Sequence, residues 1–166
     1  MTALLVYGSL IHPDEHRKLP NLIEALPVRL KGYRRSFTQT PSWRRGEGHQ
    51  IAVLRLEESP DTSLNLIALL FKEPDFAELD RRERGYRRIT LPADRLTPFG
   101  GTPLPDLDSC HLYLGRDELH DPALLPNPAY LELCLEGAQM WGETFYREFL
   151  ETTVLGDGRI LREIHH

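Results

Sequence analysis

Three stretches of this chain combine residue types that handle anions and protons. The first is Tyr7-Gly8-Ser9-Leu10, which interrupts the apolar run Ala3-Leu4-Leu5-Val6 before apolar residues resume at Leu10-Ile11. A strand that breaks at a small tripeptide marks a place where something approaches its backbone. Lacking a Cβ, Gly8 is free to take positive φ, and successive amide N–H groups then converge into a concavity that suits a carboxylate. The plainer reading is a tight turn carrying a buried Tyr7. Neither G-x-G-x-x-G nor G-x-x-x-x-G-K-[ST] occurs, so no nucleotide is called for. The second stretch is Glu78 to Arg88, "ELDRRERGYRR". Glu83 follows Leu79 by four residues, so a helix that turns Leu79 inward carries Glu83 inward too. Burial disfavours a carboxylate's charged form and raises its pKa towards the range of a general base. The alternative is a solvated helix in which Glu78, Asp80 and Glu83 pair with the neighbouring arginines.

The third stretch, Gly32 to Gly46, interleaves Arg34, Arg35, Arg44 and Arg45 with Tyr33, Phe37 and Trp43. Three uses are open for it: a nucleic-acid surface, a strand with a solvated basic face, or arginines recruited to hold a small carboxylated molecule. Two weaker patterns stand beside these. His12 and His16 have the i,i+4 spacing of metal ligands, but Pro13 follows the first and no third ligand is evident. Ser9 lacks the surroundings of a nucleophile elbow.

The elements that must position these residues follow from periodicity and turn chemistry. Residues 3–7 read as a buried strand, and Pro13-Asp14-Glu15 as the start of a short helix that Pro20 interrupts. Residues 26–37 alternate as a half-buried strand broken at Gly32. The stretches 49–58 and 63–73 read as two strands of an antiparallel hairpin joined at Ser59-Pro60-Asp61. Pro74-Asp75 starts a short helix that ends near Gly85, residues 86–91 and 109–115 are strands, and the Pro- and Gly-rich residues 92–108 are a loop. Asn127 and Pro128 suit the N-cap and first position of the longest helix. Its apolar stripe runs through Leu131, Cys134, Leu135, Ala138, Trp141, Phe145 and Phe149. The expectation is a single α+β domain over residues 1–166, built on a mixed, mainly antiparallel sheet.

Composition narrows the class of function. With 40% hydrophobic and 27% charged residues among 166, the chain reads as an ordinary globular protein able to bury a core. A net charge of -5 argues against nucleic acid as the main partner. Cys110 and Cys134 are too few and too far apart for a disulfide framework or a Cys-x-x-Cys site, which fits a reducing cytoplasm. No apolar run approaches a membrane span, and the N-terminus lacks a signal-peptide pattern, so neither membrane nor secretion is expected. Oligomeric state is left open.

Taken together, "YGSLI" after an N-terminal strand, "GYRRSF" and "LDRRERGYRR" stand in the order found in the γ-glutamylcyclotransferase-like (AIG2-like, ChaC-like) family, which this chain resembles from about Leu4 to Ala138. The helix sequence "NPAYLELCLEGA" is similar to the one that closes members of that family. "YGSLI", "GYRRSF" and "RRERGY" most resemble the ChaC-type, glutathione-degrading branch. That branch usually places a histidine before Arg-Gly, where this chain has Arg44 and its nearest histidine at His49. The resemblance implies a mixed barrel-like sheet with flanking helices and release of 5-oxoproline from a γ-glutamyl substrate without metal or cofactor. It places the catalytic carboxylate on Glu83 and the substrate loop on Tyr7, Gly8, Ser9 and Leu10. Arg35 and Tyr86 are expected nearby as orienting residues, and the segments 40–49 and 92–108 as the leaving-group pocket. The loop amides would hold either the substrate's α-carboxylate or the developing oxyanion. A non-catalytic small-molecule-binding domain of the same fold is the rival reading.

Overall fold

The structure, a computed structural model, describes residues 1–41 and 51–165. The arginine-rich Ser42–Gln50 stretch, with Trp43, Arg44 and His49, lies outside the described residues. Everything is built on one mixed sheet with the strand order β4-β6-β1-β3-β2-β5. Its strands are β1 (Thr2–Val6), β2 (Leu22–Gln39), β3 (Ile51–Phe71), β4 (Tyr86–Leu91), β5 (Leu96–Pro98) and β6 (Ser109–Gly115). Two short strands, β7 (Leu125–Pro126) and β8 (Thr153–Leu155), add in parallel to β3 and β2. Among the described residues no pairing joins β4 to β5, so the sheet is open rather than a closed barrel.

The order follows from patterning. Ala3, Leu4, Leu5 and Val6 are all buried, as a strand covered on both faces must be, and β1 lies between antiparallel β3 and parallel β6. β2 and β3 form the long central ladder, and its register corrects the expected hairpin. Residues 51–58 and 63–71 do not pair with each other. Both belong to β3, and each half pairs with β2, from Arg35↔Leu56 at one end to Leu26↔Ala68 towards the other. Between Tyr33↔Glu58 and Lys31↔Ser63 the four residues 59–62 stand opposite Gly32 alone, a bulge pinned by Thr62 Oγ1 donating to the carbonyls of Tyr33 (2.9 Å) and Ser59 (3.0 Å). Turn-prone residues therefore mark a bulge, and Gly32 bends β2 without ending it. Within 92–108, expected as loop, Ala93–Arg95 form a 3-10 turn and β5 pairs with β2.

The helices are α1 (Pro13–His16), α2 (Phe76–Arg82), α3 (Pro128–Met140) and α4 (Glu143–Glu151). Asn127 and Pro128 do open α3, with Asn127 Oδ1 accepting from Ala129 N (3.1 Å). The single long helix is in fact two. Gly142 takes φ 101°, a left-handed conformation that a helix interior does not contain, and the chain restarts as α4. The apolar stripe survives the break because Cys134, Leu135 and Ala138 of α3 and Phe145 and Phe149 of α4 all bury against the sheet. Both cysteines are buried as free thiols. Among the described residues no helix is long and apolar enough to cross a membrane.

Candidate active site

β1 delivers the first sequence motif to the edge of the core. Beyond Val6, Tyr7 is buried and Gly8 leads into a 3-10 turn over Ser9–Ile11, closed by Ile11 N donating to Gly8 O and His12 N to Ser9 O, each at 3.1 Å. Gly8 has φ -125° and ψ -125°, so the expected positive φ and the nest it would build are absent. What the position requires is space. A Cβ on Gly8 would overlap the hydroxyl oxygen of Tyr130, from the first turn of α3. The glycine lets α3 close onto the loop. Among the described residues the amides of Gly8, Ser9 and Leu10 donate to no protein acceptor.

α2 delivers the second motif. Asp75 caps the helix through Glu78 N (3.1 Å), Leu79 is buried, and the last helical hydrogen bond runs from Glu83 N to Leu79 O (3.0 Å). Glu83 is the C-cap, one residue past the helix, yet that bond keeps it on the inward face. Its carboxylate has no hydrogen-bond or ion-pair partner among the described residues. The solvated arrangement applies to its neighbours instead: Glu78 pairs with Arg81, and Asp80 with Arg88. Burial raises the Glu83 carboxyl above its ordinary range, with Arg82 opposing.

Tyr7, Gly8, Ser9, Leu10, Glu83 and Tyr86 meet around one pocket of about 60 Å³, whose remaining wall comes from Leu5, Val6, Leu54, Tyr113 and Tyr130. An outer cleft of about 250 Å³ opens from the same Ser9, Glu83, Tyr86 and Tyr130, and continues past Gln39, Thr40, Pro41, Arg82 and Arg84. Residues 92–108 line neither space, which removes them from the expected leaving-group pocket; Thr40 and Pro41 remain in it. The phenols are walls rather than acids. Tyr7 donates to Tyr113 O and Tyr86 to Leu54 O, each at 2.6 Å. Burial holds both hydroxyls well above their ordinary range, and the nearby Glu83 charge adds to the rise.

Arg35 does not reach either space. It is 0% exposed and lies behind the loop, where its five N–H groups are all engaged. Nε donates to Thr153 Oγ1 (2.8 Å), Nη1 to the carbonyls of Tyr7 (3.2 Å) and Asn65 (2.9 Å), and Nη2 to Asn65 Oδ1 (2.9 Å) and Thr152 Oγ1 (2.8 Å). The guanidinium also stacks 4.1 Å over Phe149. Burial pushes its pKa down to about 9, so it stays charged at neutral pH. The expected substrate contact through Arg35 is thereby corrected to a contact with the backbone of the Tyr7–Leu10 loop. His12 and His16 are likewise structural: His12 Nδ1 accepts from Asp14 N (3.1 Å), and His16 Nδ1 lies 2.8 Å from Leu10 O. Among the described residues no three His, Cys, Asp or Glu side chains cluster as metal ligands.

Sequence reasoning missed the frame around Glu83. Gln39 Nε2 donates to Gly85 O (2.8 Å), while its Oε1 accepts from Arg55 Nη1 (3.2 Å), so the end of β2 grips the turn that carries the carboxylate. Arg55 is buried and also donates to Gly115 O (3.2 Å). Leu54, Tyr113 and Tyr130 were missed as well. The local signal was Arg55 inside the apolar run Ile51–Leu56; Gln39 ends a strand already rich in polar residues and gave none.

No model of a known protein family matches this chain, and no curated protein matches it by sequence. Its fold does match solved structures. A structure described as a γ-glutamyl cyclotransferase aligns with TM-score 0.64 at 16% identity, over 89% of this chain and 85% of that one. A yeast γ-glutamyl cyclotransferase specific to glutathione aligns with TM-score 0.57 at 17% identity, over 99% and 97%. An Arabidopsis thaliana protein aligns with TM-score 0.53 at 18% identity, over 76% and 75%. At these identities the likeness is one of fold: the chain has the α+β architecture of γ-glutamyl cyclotransferases.

Proposed function

We propose that this protein is a γ-glutamylcyclotransferase that closes the γ-glutamyl group of a small substrate into 5-oxoproline and releases the amine, with Glu83 as general base and acid. The observation that carries the reading is the Glu83 carboxylate. It has no partner among the described residues, is raised by burial, and shares a pocket with the amides of Gly8, Ser9 and Leu10, which donate to no protein acceptor among those residues. A carboxylate serving only stability would be expected to be paired, as Asp80 and Glu148 are.

The chemistry needs few parts because a γ-glutamyl group carries its own nucleophile. Its α-nitrogen closes a five-membered ring on the γ-carbonyl carbon, so a pocket that folds the substrate supplies most of what a second reactant would otherwise cost in entropy. Glu83 takes a proton from the α-ammonium, and the freed amine attacks the γ-carbonyl. The tetrahedral oxyanion then collapses as Glu83 returns that proton to the departing nitrogen and the old C–N bond breaks. The ring nitrogen, still carrying one surplus proton after its attack, gives it up through Glu83 to the released amine, which leaves as an ammonium and restores the carboxylate. The raised carboxyl suits both steps, since a base closer in pKa to the amines it serves is easier to reload as an acid. The amides of Gly8 to Leu10 hold the α-carboxylate or stabilise the oxyanion. Tyr7 and Tyr86 shape the walls, and the outer cleft receives the leaving amine.

The test is purified protein incubated with glutathione, γ-glutamyl dipeptides and γ-glutamyl-ε-lysine, with 5-oxoproline scored by mass spectrometry. Release from one of them, absent in Glu83→Gln, supports the reaction and names the leaving group. A folded protein that binds 5-oxoproline yet releases none from any of them would favour a binding domain of the same fold.

A further inference from the structure

The proposed reaction, on which this inference rests, leaves open what holds the loop amides towards the pocket, since the turn lacks the positive φ that would converge them. The constraint lies one peptide earlier. Tyr7 O accepts from Arg35 Nη1 on the core side, and the chain contains no cis peptide bond among the described residues. In a trans peptide the C=O and N–H point in opposite directions. A Tyr7 carbonyl drawn towards Arg35 therefore turns the Gly8 N–H away from it, and that N–H finds no protein acceptor among the described residues. Tyr7 and Gly8 both line the pocket, whereas Arg35 does not.

Arg35 itself is held on several sides: Asn65 belongs to β3, Thr152 caps α4, Thr153 begins β8, and Phe149 lies beneath the guanidinium. Asn65 is fixed in turn by Nδ2 donating to Phe145 O (2.8 Å). No carboxylate among the described residues bonds to Arg35; the acid that reaches β2 from α4, Glu148, engages Arg29 instead. The result is a buried cation held by neutral acceptors only, directly behind the peptide that faces the pocket. In a poorly solvated setting such a charge acts on whatever enters next to it.

We infer that Arg35 is the positioning residue of an anion site: it orients the Gly8 N–H into the pocket and makes that wall attractive to a carboxylate or oxyanion. Arg35 never touches the anion. It acts through the Tyr7–Gly8 peptide, and the group it favours is the α-carboxylate or the tetrahedral oxyanion of the γ-glutamyl unit.

The experiment is a titration of ¹⁵N-labelled protein with 5-oxoproline, and separately with glutamate, following the Gly8 amide in wild type, Arg35→Lys and Thr152→Asp. Arg35→Lys keeps a charge but loses the fork. Thr152→Asp keeps the fork but sets a carboxylate against Nη2, offsetting the charge. The wild-type Gly8 proton should shift saturably, and both variants should bind at least about tenfold more weakly, Arg35→Lys because the Tyr7 carbonyl loses its donor and the Gly8 N–H its orientation, and Thr152→Asp because a charge within a few ångströms of the site is offset. Thr152 is half-buried, so Thr152→Asp carries the test if Arg35→Lys fails to fold. A Gly8 amide that ignores both ligands in the wild type, or equal affinity in a folded variant, overturns the inference. The outcome is separable from that of the reaction. Binding at Gly8 without 5-oxoproline release would remove the reaction and keep the site, whereas turnover with an unchanged KM in the variants would do the opposite.

Discussion

The contact between Gly8 and Tyr130 permits the sharpest test of how the site is built. Gly8→Ala places a methyl carbon where the Tyr130 hydroxyl oxygen already sits, and the overlap is relieved only if the ring or the loop moves by about 1 Å. The ring is not free to swing, because it packs edge-on against Phe37 with centroids 6.1 Å apart. Overpacking of this kind costs about 1–3 kcal/mol. For a chain of this length each kcal/mol lowers Tm by roughly 2–4 °C, so a drop of about 2–12 °C is expected. Removing the hydroxyl removes the clash: the next atoms a Cβ would meet are Tyr130 Cζ at 3.5 Å and Leu54 Cδ1 at 3.6 Å, both ordinary contacts. In a Tyr130→Phe background Gly8→Ala should therefore lose most of its penalty, giving a coupling of about 1–2 kcal/mol in a double-mutant cycle read by thermal melts. Turnover should follow the same pattern, since a displacement near 1 Å at a reacting site costs about 10²-fold. A Gly8→Ala protein that melts with the wild type, or a penalty unchanged by Tyr130→Phe, would refute the reasoning.

Other consequences follow from the frame. Because burial raises Glu83, the folded chain keeps a proton that the unfolded chain loses above 4.5, so this group subtracts stability as pH rises from there through the folded value. Glu83→Gln should accordingly melt above the wild type at pH 7 and converge with it below 4.5, while losing turnover; melts across pH that show the variant less stable at neutrality would contradict the burial argument. Gln39→Leu strips Gly85 O of its donor and Arg55 of an acceptor, and should cost about 1–3 kcal/mol in denaturant titrations while lowering kcat, because the turn holding Glu83 is released. Gly142→Ala forces an L side chain to φ 101° and should destabilise by about 1 kcal/mol or more, with KM unchanged because α3 still closes on Gly8.

How far these features were legible depends on the range of the interaction behind each. The strand before Tyr7, the cap at Asn127 and the inward face shared by Leu79 and Glu83 are set within a few residues, and the structure has them all. The hairpin expected around Ser59-Pro60-Asp61 failed because Pro and Asp mark a local change of direction, not what the flanking strands pair with. Only the length of β2 decides that both halves of β3 join it. The apolar stripe ran unbroken through Gly142, since periodicity records burial and not the φ of one residue. Arg35 shows the limit most clearly. Its proximity to the loop motif was readable, but whether a guanidinium faces a pocket or supports it from behind depends on Asn65, Thr152 and Thr153, which lie at least 30 residues away in sequence. Likewise, a glycine after a strand suggests a positive φ, but Gly8 is required because Tyr130 arrives from another element.

The most direct test of the central claim runs the reaction in H₂¹⁸O, comparing wild type with Glu83→Gln. Attack by the substrate's own α-amine takes no oxygen from solvent. The account predicts unlabelled 5-oxoproline from the wild type and none from Glu83→Gln. Glutamate carrying ¹⁸O would mean that Glu83 activates water instead, and equal 5-oxoproline from both proteins would remove Glu83 from the chemistry.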